Sequence, residues 1–127
     1  MPHPSIPAGQ SASSAATVAK ATLRAAARLD VAQNTLARII GLSEASVSRL
    51  SQGHYSLDLG GKPFELALLF IRLFRSLDAI VGGDEATARA WLRNDNLALG
   101  GRPLDLITRV SGLIDVIAYL DSRRALV

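Results

Sequence analysis

The chain has 127 residues, of which 49% are hydrophobic, 20% are charged and only 5% are aromatic. A chain of this length fits one domain or two very small helical domains, and it is too short for most enzyme folds. The abundance of alanine and leucine and the low aromatic content predict an all-α protein. The chain has no cysteine, so disulfide frameworks, thiolate metal sites and cysteine nucleophiles are excluded, and a cytoplasmic location is expected.

The net charge of +3 arises entirely in the first half of the chain. Residues 1–62 carry six Lys and Arg against three Asp and Glu, whereas residues 63–127 carry eight of each. A basic surplus favours an anionic partner, so we expect the N-terminal half to contact one. The chain does not begin with a basic segment followed by an apolar core, and charges interrupt its longest apolar stretch. We therefore expect neither a signal peptide nor a membrane span.

The first predicted elements are a tail and a long helix. Residues 1–14 are rich in Pro, Ser, Ala and Gly and offer little to bury, which predicts a flexible tail. Strong helix formers then predict a helix over residues 15–29, with one face apolar at helical spacing. Lys20, Arg24 and Arg28 stack on another face, which either lies along a phosphate backbone or is a solvated side of the helix.

Residues 33–52 have the pattern of a helix-turn-helix, with predicted helices over residues 32–40 and 44–51. Gly41 permits the positive φ that the tight turn requires, and Ala37 is small where the second helix crosses the first. The other positions of the pattern are apolar residues and a helix cap: Leu36, Ile40, Leu42, Ser43, Val47 and Leu50. The alternative is a helical hairpin in an ordinary helical core.

A helix-turn-helix places the start of its second helix in the major groove of DNA. Arg49 can bind guanine O6 and N7, Glu44 can accept from cytosine N4, and Ala45 can touch a thymine methyl group. Gln33 and Ser43 are placed for phosphate contacts. Because this helix carries only one basic residue, a single copy should bind DNA weakly. A dimer that reads two half-sites about 34 Å apart would compensate for this. The candidate DNA-binding residues are Gln33, Ser43, Glu44, Ala45, Ser46, Ser48 and Arg49.

The sequence predicts an apolar central helix in residues 63–83. It begins at Pro63 and ends before the glycine pair at residues 82 and 83. Apolar residues cover most of its circumference, and a helix that is apolar on most sides is buried on most sides. A core of this size rarely surrounds a helix completely, so part of the helix is expected to face a second copy or a partner, unless it is simply a central core helix. The predicted homodimer contact consists of Phe64, Leu68, Phe70, Ile71 and Phe74.

Residues 84–127 predict three further helices. Asp84 can cap the first, over residues 85–93, and Pro103 starts a short one that reaches about residue 110. Ser111 and Gly112 then lead into a last helix that ends near residue 124. The glycine-containing loop before Pro103 is either a structured connection that packs on the core or a binding site.

The C-terminal part of the chain presents a spaced signature consisting of Trp91, Leu92, Asn96, Leu99, Gly100, Gly101, Pro103 and Leu106, with Thr108, Gly112, Val116 and Leu120 following. In this it resembles the Xre/MbcA/ParS-like antitoxins, whose toxin-binding domain carries a similar signature, although Pro103 lies one place nearer the glycines than in many members. The resemblance covers about residues 15–127. It implies an all-α fold with an Xre/Cro-like helix-turn-helix domain over residues 15–62 and a small helical toxin-binding domain over residues 84–127.

The resemblance implies the antitoxin of a type II toxin–antitoxin system. Such antitoxins occlude the active site of a RES-type toxin, which consumes NAD or ADP-ribosylates a target, and their N-terminal domain represses the shared promoter. The implied partners are this toxin, operator DNA and a second copy, with no cofactor and no membrane. The last segment either enters the toxin's NAD cleft, which its arginines block, or is a frayed terminus. The implied toxin-binding residues are Asn96, Gly100, Gly101, Arg102, Ser122, Arg123, Arg124, Ala125, Leu126 and Val127.

Two other functions stay open on the sequence. A phage-type transcriptional repressor would use residues 63–127 for dimerisation and would need no toxin. A protein-binding module that has lost DNA affinity would explain the sparse positive charge around Glu44 and Arg49. An enzyme is not expected, since His3 and His54 are the only histidines and no catalytic set or metal cluster has suitable spacing.

Overall fold

The computed structural model describes residues 8–125, with side chains from residue 13 onward, and over this range every regular element is a helix. The predicted all-α fold is therefore confirmed. No helix in the described range is both long and apolar enough to cross a bilayer. The helices are α1 (Ala8–Arg28), α2 (Gln33–Ile40), α3 (Glu44–Ser51), α4 (Lys62–Ile80), α5 (Glu85–Arg93), α6 (Pro103–Leu106) and α7 (Val110–Arg124).

Helix α1 is longer than predicted, because it begins at Ala8 rather than at residue 15. The sequence predicts a flexible tail over residues 1–14, but the structure has residues 8–14 in a helix, while residues 1–7 lie outside the described part of the chain. Ala15 is buried, so the helix is anchored there. Extending an anchored helix adds one hydrogen bond per residue without a new nucleation cost, and the alanines of this segment favour it.

Helix α4 lies at the centre of the fold and packs against α7, α1 and α2. Phe70, Leu73 and Leu77 are completely buried by these neighbours. Burying each such side chain contributes about 1.5–3 kcal/mol relative to leaving it exposed. The central helix is apolar on most sides because its own chain covers it, which favours the core-helix alternative.

The predicted dimer contact on α4 is wrong in part for this reason. Phe70 is fully buried within the chain and presents no surface to a second copy, and Ile71 keeps only 8% of its surface exposed. Phe64 and Phe74 are half-buried, and only Leu68 is exposed. The sequence pattern could not separate burial by the same chain from burial by a partner, because both require the same apolar residues.

Two arginines of α5 fix this helix to the end of α1. Arg89 Nε donates to the carbonyl of Arg28 at 2.8 Å, and Arg93 donates to the carbonyls of Leu29 at 3.1 Å and Asp30 at 2.7 Å. The last carbonyls of a helix lack partners within it, and cationic donors there also complement the helix dipole. The contact joins the C-terminal part of the chain to the helix that precedes the helix-turn-helix.

Helices α4 and α7 are joined by a polar contact. The hydroxyl of the buried Ser76 donates to Asp121 Oδ1 at 2.7 Å, and Arg72 donates to the other carboxylate oxygen. The hydrogen bond from Ser76, aided by Arg72, lowers the pKa of Asp121 against the opposing effect of burial. The end of α7 is thereby fixed in register against α4.

Helix α7 begins earlier than predicted, at Val110, and α6 ends earlier, at Leu106. Gly112 lies inside α7 rather than leading into it. A Cβ atom at Gly112 would overlap the backbone carbonyl of Leu106. Glycine is therefore required because the backbones of α6 and α7 approach too closely for any side chain.

Candidate functional site

The helix-turn-helix has the geometry that its pattern predicts. Gly41 adopts φ 74° in the turn, and the N–H of Leu42 donates to the carbonyl of Ala37 at 3.0 Å. Ser43 caps α3 by accepting from the N–H of Ser46 at 3.1 Å. The apolar positions of the pattern face the core, with Val47 fully buried. The turn thus holds α3 across α2 with its first turn at the surface.

The predicted DNA-binding residues lie in α2, at the cap of α3 and along α3. Most are exposed, and two are half-buried: Gln33, Ser43, Glu44, Ala45 and Arg49 are exposed, and Ser46 and Ser48 are half-buried. The hydroxyl of Ser43 donates to that of Ser46 at 2.9 Å. Gln33 Nε2 donates to Ser51 Oγ at 3.3 Å, which ties the start of α2 to the end of α3. Glu44 and Arg49 form no ion pair within the described residues.

The loop between α5 and α6 is closed by Asn96. Its N–H donates to the carbonyl of Gly101 at 3.0 Å, and its carbonyl accepts from the N–H of Gly101 at 3.2 Å. Its side-chain oxygen accepts from the N–H of Leu99 at 3.2 Å, and Gly100 has φ 78°. Three predicted toxin-binding residues, Asn96, Gly100 and Gly101, thus shape the loop, and they place Leu97 at its tip with a fully exposed side chain.

Arg102 ends this loop and is paired with Asp105. Its Nε and Nη2 atoms donate to the two carboxylate oxygens of Asp105 at 3.0 and 2.7 Å. The hydrogen bond between them lowers the pKa of Asp105 and raises that of Arg102. The guanidinium thus already has a carboxylate partner within the chain.

The last turn of α7 is exposed, and its two arginines lie on different surfaces. Arg123 donates to the hydroxyl of Tyr119 at 3.0–3.1 Å and lies over its ring at 5.3 Å. Tyr119 stacks on Trp91 with ring centroids 6.2 Å apart. Arg124 instead lines a groove between α1 and α4. Ser122 and Ala125 are also exposed, whereas Leu126 and Val127 lie outside the described residues.

Two apolar surfaces of the C-terminal part were not predicted from the sequence. Val110 and Ile114 are 56% and 46% exposed, four residues apart on one face of α7. The signal was present, since this spacing marks a second apolar stripe beside the buried one. A separate cleft is lined by half-buried side chains next to Arg123: Ile80, Val81, Trp91 and Tyr119. No group of three or more His, Cys, Asp or Glu side chains that could hold a metal occurs between residues 8 and 125.

A helix-turn-helix whose second helix exposes its first turn, joined to a helical unit with exposed apolar side chains, is typical of a DNA-binding protein with an added interaction domain. Residues 9–72 match the family model described as the antitoxin Xre-like helix-turn-helix domain. Residues 76–125 match the antitoxin Xre/MbcA/ParS C-terminal toxin-binding domain, so the two matched segments meet inside α4. The chain belongs to the Xre/MbcA/ParS-type antitoxins, a family of type II antitoxins. No curated protein matches it.

Proposed function

We propose that this antitoxin neutralises a RES-type toxin, which consumes NAD or ADP-ribosylates a target, by covering its active site. The observation that supports a protein partner is the exposure of large apolar side chains in the toxin-binding segment. Leu97, Val110 and Ile114 are three of the five exposed large hydrophobic residues of the described chain. Exposed apolar side chains of this kind mark surfaces that a partner covers.

The occluding element proposed is the end of α7. Arg123 and the stacked Trp91 and Tyr119 combine the three residue types that most often dominate binding energy at protein interfaces. Because Arg123 is held against Tyr119, its position is fixed before the toxin binds, which reduces the entropy cost of association. The adjoining residues Ser122, Arg124 and Ala125 would follow it toward the entrance of the NAD cleft and exclude the dinucleotide.

The test is to express the neighbouring open reading frame alone and together with the antitoxin, and to follow growth and cellular NAD. We expect toxicity with NAD loss, and restoration of both by co-expression. An antitoxin lacking residues 122–127 should fail to restore growth, because it loses the occluding segment but keeps the Asp121 contact to α4. The matched control is Asp115→Ala, which changes an exposed residue of the same helix.

Two results would contradict parts of this proposal. Relief of toxicity without any change in NAD would retain the antitoxin role but exclude a toxin that depletes NAD. An absence of toxicity from the neighbouring frame would favour the phage-type repressor without a toxin.

We further propose that the protein represses its own operon by placing α3 in the major groove. Arg49 and Glu44 would read bases, and the capped start of α3 would contact phosphate. Arg49 is the only basic residue of α3, so a single copy would bind DNA weakly. The proposal therefore requires two copies on the operator. Titration of an operator duplex, with the mass of the complex measured by light scattering, should give two chains per duplex. One chain per duplex at saturation would contradict the dimeric arrangement.

A further inference from the structure

A shallow groove runs between α1 and α4, where two adjoining depressions share Ala21, Ile71 and Arg75. Its floor is apolar, and Leu68 within it is 45% exposed. The other apolar side chains that line it come from both helices: Val18, Ala25 and Phe74. Neither the DNA-binding surface nor the proposed toxin contact uses this floor.

The walls of the groove are strongly basic. Five arginines and no acidic residue line the two depressions: Arg24, Arg28, Arg72, Arg75 and Arg124. Arg72 is engaged by Asp121, and Arg28 lies 3.7 Å from Glu85. Arg24, Arg75 and Arg124 form no ion pair within residues 13–125. Asp121 acts electrostatically on Arg124, which leaves Arg24 and Arg75 without an acidic neighbour. An apolar floor beside such cations is complementary to a ligand that is both apolar and acidic.

The position of the groove argues against the operator as its occupant. Ala19 and Leu23 lie beside the end of α3, whereas Ala21 and Arg28 line the groove. At about 100° per residue, these two pairs fall on nearly opposite sides of α1. DNA held by α3 would therefore lie on the side of α1 that faces away from the groove. A phosphate backbone is also charged throughout, so it would leave the apolar floor of the groove uncovered.

The charge of the groove argues against a second copy of the chain. A two-fold contact sets the same surface of each copy against the other. Here it would bring two rows of arginines together, with no acidic residue lining the groove to separate them. Like charges brought together in a desolvated contact oppose association.

We propose that this groove binds an acidic amphipathic helix of a partner protein. The apolar face of that helix would cover Leu68 and Ile71, and its carboxylates would accept hydrogen bonds from Arg24 and Arg75. The site is separate from α3 and from the aromatic cleft of Arg123, so it offers the antitoxin a third binding surface. It does not depend on the chemistry of the toxin.

The probe is a labelled synthetic peptide of about 16 residues with leucines at helical spacing and glutamates on both flanks. Its binding to the full-length chain is measured by fluorescence anisotropy at physiological salt. Arg75→Glu should weaken binding at least tenfold, and Arg24→Glu, on the opposite wall, should act in the same direction. Arg109→Glu changes an exposed arginine outside the groove and should bind like the parent chain.

Three outcomes would overturn the proposal. One is equal binding of a scrambled peptide of the same composition, since a groove must distinguish a helical pattern from charge alone. Another is a dimer in light scattering that Leu68→Glu dissociates, which would assign the groove to a second copy. The third is displacement of the peptide by a duplex of unrelated sequence whose own binding requires Arg75. Circular dichroism of each variant separates loss of binding from loss of fold.

Discussion

The two halves of this antitoxin use their motif residues differently. In the helix-turn-helix, the pattern residues build the turn and leave Glu44 and Arg49 exposed and unpaired in the described chain. In the C-terminal half, Asn96 and Gly101 are bonded to each other, and the adjoining Arg102 is bonded within the chain to Asp105. Residues of a spaced signature can therefore be required for the shape of a loop rather than for contact with a partner.

The largest effect on stability is expected from a substitution of Gly112, because the C-terminal half has no room for a side chain at this position. Gly112→Ala forces a Cβ against the carbonyl of Leu106, so α7 must move away from α6. We expect a loss of about 2–4 kcal/mol in the free energy of unfolding, measured by urea denaturation. Ser111→Ala, at the exposed neighbouring position, is the control. A stability equal to that of the control would show that the two helices can separate without cost.

The next prediction tests whether the two halves act independently. Arg49→Ala should weaken operator binding by about 1–3 kcal/mol, as measured by anisotropy, and leave toxin neutralisation unchanged. Ile114→Asp should weaken toxin neutralisation and leave operator binding unchanged, because it places a charge in the exposed apolar stripe of α7.

The two variants serve as controls for each other, since both positions are exposed and neither change should affect the core. Equal damage to both activities by either variant would contradict the separation. The result would instead indicate that the hydrogen bonds from Arg89 and Arg93 to the end of α1 transmit changes between the halves.

The same difference explains what could be predicted from the sequence. The helix-turn-helix was predictable because local requirements specify it, such as the positive φ at Gly41 and the cap at Ser43. The surroundings of α4 were not predictable, because its apolar pattern is the same whether the chain itself or a partner covers Phe70. The bonds of Arg93 to the end of α1 join residues more than sixty positions apart, and no local pattern records them.

A smaller effect is expected at the contact between α4 and α7. Asp121→Ala leaves the buried hydroxyl of Ser76 without its acceptor, at a cost of about 1–3 kcal/mol. Because the pKa of Asp121 is lowered in the folded chain, its contribution to stability is present above the unfolded pKa of about 4 and is lost as the pH falls below it. Urea denaturation should therefore show that Asp121→Ala lowers the free energy of unfolding more at pH 7 than at pH 3, relative to the parent chain. Asp115→Ala should change it little at either pH.

The smallest effect is expected at Arg102, which sharpens the distinction between architecture and contact. Arg102 was predicted from the family resemblance to bind the toxin, but two of its three guanidinium nitrogens, Nε and Nη2, donate to the carboxylate of Asp105. If its role is to shape the start of α6, Arg102→Ala should lower the apparent affinity for the toxin less than Ile114→Asp does, in the same pull-down titration. Asp105→Ala should then resemble Arg102→Ala, because either change removes the same pair. A loss at Arg102 alone would identify the guanidinium as a direct toxin contact, since only that group would then be missing from the interface.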